Sequence, residues 1–358
     1  MKTVSEEQTH HKSKRLNDRK AIVTGATGGL GRAIVEGLAR EGADVFLGVR
    51  SLAKGQSLQQ SLGHPNIHLP PVPLNLADAQ SISEFAEHFA NSKIHILVCN
   101  AGLNSGSHSI KGASQSYHAR IANSLPMQNF LGHFLLISKL EPSLMQTPGA
   151  RIVSVSSIMS RFGSVAHPDT FLDGNSYANS KLAQACHMHR LQQRLKHHDV
   201  TAAVADPGGV NTYVWEGTPF STGIGSLARK ALFVSCERGA ESVLHACMVP
   251  TSSGSFDTKT PFFVAEGAFS SNTVTQQLPS LTGRQKHDIS ALVRYPMLAV
   301  TGATMLLRLV VDKVISMRSP SPKRIVSVQP NPEMFDDSVC ESLCKVSARR
   351  CGLNTEHA

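Results

Sequence analysis

Short apolar runs alternate with amphipathic stretches along the first 215 residues. Strands are predicted where four to six apolar residues end in glycine or a polar cluster, at KAIVTG (20–25), DVFLGVR (44–50), KIHILVCNAG (93–102), ARIVSVSS (150–157) and DVTAAVADPG (199–208). Helical spacing of apolar positions predicts helices at LGRAIVEGLAREGA (30–43), SISEFAEHFANS (81–92), NFLGHFLLISKLEPSLM (129–145) and SYANSKLAQACHMHRLQQRLKHH (176–198). Strands that alternate with helices of this length predict βαβ units and a doubly wound parallel sheet, hence an α/β fold. Ligands of such sheets bind beyond the carboxyl ends of the strands.

Past residue 215 the pattern loosens. PFFVAEGAFSS (261–271) reads as a last strand and turn, and 289–317 is the most apolar tract of the chain. RSPSPKR to QPNP (318–332) reads as a Pro/Ser-punctuated linker. The expected organisation is a charged leader (1–18), one domain (19–282) and a C-terminal helical extension (283–358).

Composition narrows the class. Of 358 residues, 41% are hydrophobic and 17% charged, as in an ordinary globular chain, and aromatics are only 5%. The formal charge is +9, but the basic residues are scattered except at the head and tail. Scattered charge and few aromatics argue against nucleic acid and leave an anionic cofactor or membrane face. The first 20 residues lack an apolar signal region, so the seven cysteines are expected to be reduced thiols facing the cytosol, in a protein that is not secreted. Cys340, Cys344 and Cys351 read as small apolar side chains of a helix, and nothing points to a metal site. The histidines of HMH (187–189) and KHHD (196–199) sit in a polar helix pattern and are expected to be solvated.

TGATGGLGR (24–32) falls between the first strand and the first helix. Glycines there let a pyrophosphate approach the main chain, and the following helix offers unpaired N–H groups and the positive end of its dipole. The second strand ends in FLGVR, with Arg50 where an NAD site usually carries a carboxylate, which favours NADP(H). In YANSK, Tyr177 and Lys181 share one helix face four residues apart, so the ammonium is expected to pull the phenol toward neutrality for proton transfer.

The spacing Gly-x-x-x-Gly-x-Gly resembles the glycine motif of the short-chain dehydrogenase/reductase family. CNAG (99–102), QNFLGHFLL (128–136), RIVSVSS (151–157), YANSK (177–181) and DPGGVNT (206–212) follow in that family's order, and the helix segment resembles its retinol-dehydrogenase-like branch. SLCKVSARRCGL (342–353) loosely resembles the closing helix of that branch. The resemblance implies a Rossmann-type fold, NADP(H) and a catalytic set of Ser157, Tyr177, Lys181 and Asn129. It places cofactor contacts at Gly25, Thr27, Gly29, Leu30, Gly31, Arg50, Asn75, Leu76, Asn100, Ala101, Gly102, Tyr177, Lys181, Pro207, Gly208, Val210 and Thr212.

It further implies an oxidoreductase acting on a lipophilic carbonyl or alcohol, such as a retinoid or steroid. Departures are Asn75 where the family carries aspartate, Cys99 for the first asparagine of its motif, and the unmatched segment 103–125. Twenty residues separate Ser157 from Tyr177, an interval that fits the branch's insertion near the substrate. A silent NADP-binding sensor and a membrane-associated interaction protein are the alternatives. The tract 295–307 is uncharged but shorter than the about 20 apolar residues of a membrane span, which leaves peripheral membrane contact, packing on the catalytic domain or self-association as a homodimer.

Overall fold

The computed structural model describes residues 14–104, 125–173, 176–195, 197–212, 215, 223, 226, 233–249, 262–264 and 331–355. The first thirteen residues, most of the unmatched segment, the apolar tract 289–317 and the linker up to residue 330 lie outside the described residues.

The elements run β1 (Lys20–Thr24), α1 (Gly29–Arg40), β2 (Asp44–Gly48), α2 (Leu52–Leu62), β3 (Ile67–His68), α3 (Ala79–Glu87) and β4 (Ile96–Cys99). A π-helical turn (Pro126–Leu131) leads into α4 (Gly132–Met145), then β5 (Ala150–Val155), a 3₁₀ turn (Ile158–Phe162), α5 (Pro168–Asp173), α6 (Tyr177–Leu195) and β6 (Val200–Asp206). They close with α7 (Cys236–Met248), β7 (Phe262–Val264), a second 3₁₀ turn (Pro332–Phe335) and α8 (Asp337–Arg350). The seven strands form one parallel sheet in the order β3-β2-β1-β4-β5-β6-β7.

Every residue of β4, β5 and β6 is buried, because helices cover both faces of the sheet. Alternation along the strands divides the core in two. Ile22, Leu97, Ile152 and Val204 face α3, α4, α6 and α8. Ala21, Val23, Val98, Val153 and Ala205 face α1 and α7. Strand order reverses between β1 and β4, so a crevice opens there at the carboxyl ends.

The described end of the chain, 331–355, joins the same core rather than standing apart. Met334, Cys340, Leu343 and Cys344 are wholly buried with residues of α6. Asp336 caps α8 by accepting from the backbone N–H groups of Ser338 and Val339. This packing overturns the expectation that the histidines of HMH are solvated. His187 and His189 are 7% and 5% exposed, because the polar-looking face of α6 is covered. The His187 ring lies 4.4 Å from Phe134, and His189 lies 5.2 Å from Phe335 with Nε2 3.2 Å from an Asp337 carboxylate oxygen. His197 and His198 are exposed, as expected.

Candidate active site

Four strand ends build the site. After β1, Gly25 takes φ +64°, a left-handed turn that lets the chain double back into α1. The N-cap of α1 is Gly28, which has no side chain to satisfy the first N–H groups of the helix. A Cβ on Gly31 would sit 2.2 Å from the Gly25 carbonyl oxygen and 2.9 Å from Asn100 Nδ2. Gly31→Ala is therefore expected to lower stability by about 1–3 kcal/mol as the turn is forced open. An unchanged urea midpoint would show that the turn yields freely.

Thr24 ties this turn to β4. Its Oγ1 accepts from the backbone N–H groups of Asn100 and Ala101, both at 3.0 Å, while Asn100 Nδ2 donates to the Thr24 carbonyl at 2.9 Å. With both lone pairs occupied, the Thr24 hydroxyl donates to His133 Nε2 at 2.8 Å. His133 Nδ1–H then donates to the Asn129 carbonyl at 2.9 Å. Burial pushes His133 down to about 4, so it is neutral in this chain of bonds.

Asn129 sits in the π-helical turn and is wholly buried. Its side chain clasps the main chain of Leu103, accepting from the N–H at 2.8 Å and donating to the carbonyl at 2.9 Å. It also donates to Ser180 Oγ at 3.1 Å, which links the turn to α6.

Ser157 ends β5 in extended conformation and caps the 3₁₀ turn that follows. Tyr177 opens α6, and its hydroxyl is hydrogen-bonded to Ser157. Lys181, one turn further on, is 3% exposed; its Nζ donates to the Val155 carbonyl at 2.8 Å and lies 5.8 Å from the Tyr177 ring centre.

Electrostatics here differ from the sequence expectation. Burial pushes Tyr177 up to about 12, the Ser157 bond opposing it, and pushes Lys181 down to about 8. The lysine is engaged by the Val155 carbonyl, and burial is the largest influence on the phenol. Asp206 is a further buried charge at the end of β6, accepting from the Gly208 N–H at 2.9 Å. Burial raises its carboxyl, while Gly208, Arg161 and Lys181 draw it back toward ionisation.

A cavity of about 330 Å³ opens at these strand ends. It brings together Gly25, Gly29, Leu30, Gly31, Asn100, Gly102, Ser157, Tyr177, Lys181, Pro207, Gly208, Val210 and Thr212 of the expected site. Thr27, Arg50, Asn75, Leu76, Ala101 and Asn129 do not line it. Thr27 and Arg50 are exposed, and Asn75 Oδ1 accepts from the Ala77 N–H in its own loop. Leu76 is buried, and Asn129 acts from behind through Leu103. Sequence reasoning missed Gly28, Leu103, Val155, Ser156 and Trp215 as lining residues. All but Leu103 and Trp215 stood inside quoted motifs. Trp215, the single tryptophan of the chain, donates from Nε1 to the Val210 carbonyl at 2.9 Å.

A glycine turn, with Ser157, Tyr177 and Lys181 gathered beside it at the carboxyl edge of a doubly wound sheet, forms a candidate site of the dinucleotide-binding oxidoreductase class. The family model described as short chain dehydrogenase matches residues 19–219, and the chain belongs to that family. Its relatives place it on the retinol-dehydrogenase-like branch, whose members act on CH–OH groups. Retinol dehydrogenase 12 of Mus musculus is 30% identical over 243 residues, 65% of this chain and 74% of that protein. Polyprenol dehydrogenase of Mus musculus is 32% identical over 257 residues, 66% of this chain and 73% of that protein. In structure, the chain is similar to a short chain dehydrogenase from Burkholderia cenocepacia J2315 in complex with NADP, with TM-score 0.53 and 21% identity, covering 71% of this chain and 99% of that one. A protein from Mycobacterium Paratuberculosis gives TM-score 0.61 at 20% identity, covering 96% and 97%. At such identities the likeness is one of fold.

Proposed function

We propose that this chain interconverts a lipophilic carbonyl compound and its alcohol, using NADP(H) and the set Ser157, Tyr177 and Lys181. The observation that carries the reading is one cavity lined both by the glycine turn and by those three side chains. The turn fits a dinucleotide: a Cβ at Gly31 would fill it, and the uncapped start of α1 aims N–H groups at it. When bound, NADP(H) supplies or takes up the hydride.

The chain's own residues handle the proton and the oxygen. Tyr177, protonated across the physiological range, donates to the carbonyl oxygen during reduction. Ser157, hydrogen-bonded to that hydroxyl, holds the oxygen where negative charge develops. Lys181, anchored on the Val155 carbonyl, fixes the first turn of α6 and supplies a positive charge below about pH 8. Asn129 keeps Leu103 against the cavity. Retinol and polyprenol, named by the relatives, are long apolar alcohols, which supports a lipophilic substrate here. Among the described residues no helix is long and apolar enough to cross a membrane.

Absorbance of NADPH with purified protein and a panel of aldehydes and ketones, retinal among them, tests this reading. Oxidation above the no-substrate rate supports it. A bound but unoxidised cofactor across the panel would favour a silent NADP-binding protein instead.

NADP(H) over NAD(H) rests on Arg50, exposed just past the end of β2 beside the glycine turn, where Gly25 N–H donates to the Gly48 carbonyl at 2.9 Å. Arg50→Asp is expected to shift the NADPH/NADH preference by at least about tenfold toward NADH, the worth of one charge-assisted contact. An unaltered ratio would mean that the 2′-phosphate is read elsewhere.

A further inference from the structure

We propose that Asn331 and Glu333 are positioning residues that grip the segment 158–165, between Ser157 and Tyr177, and so set how long apolar substrates fit the site. The inference rests on the assignment of Ser157 and Tyr177 given above.

The segment after Ser157 has little regular pairing of its own, and its backbone groups find partners in the strap 331–335. Asn331 Nδ2 donates toward the carbonyls of Gly163 at 3.0 Å and of Ser160 and Arg161 at 3.4 Å. Asn331 Oδ1 accepts from the Glu333 N–H at 2.9 Å, which fixes which end of the amide faces the three carbonyls. Glu333 then takes the other end of the segment: Oε1 accepts from Ser164 Oγ at 2.9 Å and Oε2 from the Val165 N–H at 2.8 Å. The Ser164 N–H donates to Asn179 Oδ1 at 3.1 Å, in the first turn of the helix that carries Tyr177.

The strap is itself rooted. Met334 is wholly buried, and the Glu333 carbonyl accepts from the thiols of Cys186 in α6 and Cys340 in α8 at 3.6 and 3.5 Å. A grip of this kind can only hold something rigid if its own base is rigid.

Between the two clasps stands Phe162, five residues from Ser157 and 60% exposed, more than any other large apolar side chain among the described residues. No residue of 158–165 lines the cavity itself, so the exposed Phe162 ring is the surface offered to whatever part of a long apolar substrate extends past it. Arg161, its neighbour, is half-buried, and its positive charge favours the ionised form of the buried Asp206 carboxyl.

The test uses the full chain with Asn331→Asp, which puts a carboxylate against three carbonyl oxygens without changing shape, and Glu333→Gln, which loses one of two acceptors. Two readouts are taken: trypsin cleavage after Arg161, followed by mass spectrometry, and KM for the longest and shortest aldehydes that the wild type reduces. Asn331→Asp is expected to speed that cleavage and to raise KM for the longest aldehyde by about tenfold each, with a smaller change for Glu333→Gln. NADPH affinity and KM for the shortest aldehyde should stay within about twofold. Cleavage at the wild-type rate in both variants would overturn the proposal, and so would a parallel loss of cofactor binding and of both substrates, which marks general unfolding. A wild type without turnover would sink the enzymatic reading, while faster cleavage would still show the grip. If Asn331→Asp fails to fold, Glu333→Gln decides by the same two readouts.

Discussion

Tyr177→Phe is expected to lower carbonyl reduction by at least about a hundredfold while NADPH titrates as in the wild type. The substitution removes one hydroxyl and leaves the ring that packs near Lys181, with 5.8 Å between ammonium and ring centre. Ser157 loses its partner but keeps the Met159 N–H, which it accepts at 3.3 Å, so the end of β5 should hold its shape. The loss then falls on proton donation alone. Because burial pushes the phenol up to about 12, its proton is in place at neutral pH, and reduction is the direction it serves without help. Alcohol oxidation needs the phenolate, so it should gain as pH rises. Turnover by Tyr177→Phe at the wild-type rate would remove the tyrosine from the chemistry.

A fall in stability of about 3–4 kcal/mol is expected between pH 6.5 and pH 5, from two buried histidines. Burial pushes His133 down to about 4; it pushes His187 down to about 3, with the nearby Arg194 charge adding to the effect. Both values lie below the ordinary 6.5 of an unfolded chain, so above that pH each ring is neutral in both states and carries no penalty. Below it, the unfolded chain takes up protons that the folded one refuses. Each histidine then costs about 1.4 kcal/mol per pH unit until its folded value is reached. Against a total of about 5–15 kcal/mol for an ordinary domain, that is a large share. Urea midpoints at pH 7 and pH 5 measure it, and His187→Gln should recover roughly half of the loss. A midpoint that does not move with pH would mean that these rings protonate in place.

The strand-and-helix alternation up to residue 206 was legible because strands buried on both faces leave near-continuous apolar runs, as in β4 and most of β6. The candidate site was legible where its residues are neighbours in sequence: the glycine turn, and Tyr177 with Lys181. What was hidden depended on contacts across the chain. Helix α2 buries only Gly55 and Leu58, too few apolar positions for a periodic signal; its marks are the Ser51 cap and Gly63 at φ +58°. Helix α7 falls within the loosening pattern, although Ala240, Val243 and Ala246 all face the sheet. The histidines of α6 read as solvated because nothing local announces that α8 will cover them. Asn331 stood in a stretch whose prolines suggested a linker, yet its side chain spans 168–171 residues of sequence to reach its three carbonyl partners.

That distance has a consequence for biosynthesis. Val165 meets Glu333 only after 168 further residues have been made. At about 5–20 residues per second, the interval is roughly ten to thirty seconds. For most of that time, from residue 206 onward, a nascent chain holds all the residues of β1 to β6, while the flank of α6 that carries Cys186 and Met188 still lacks α8. Until α8 is made that apolar flank stays open to water, and chaperone binding is expected there.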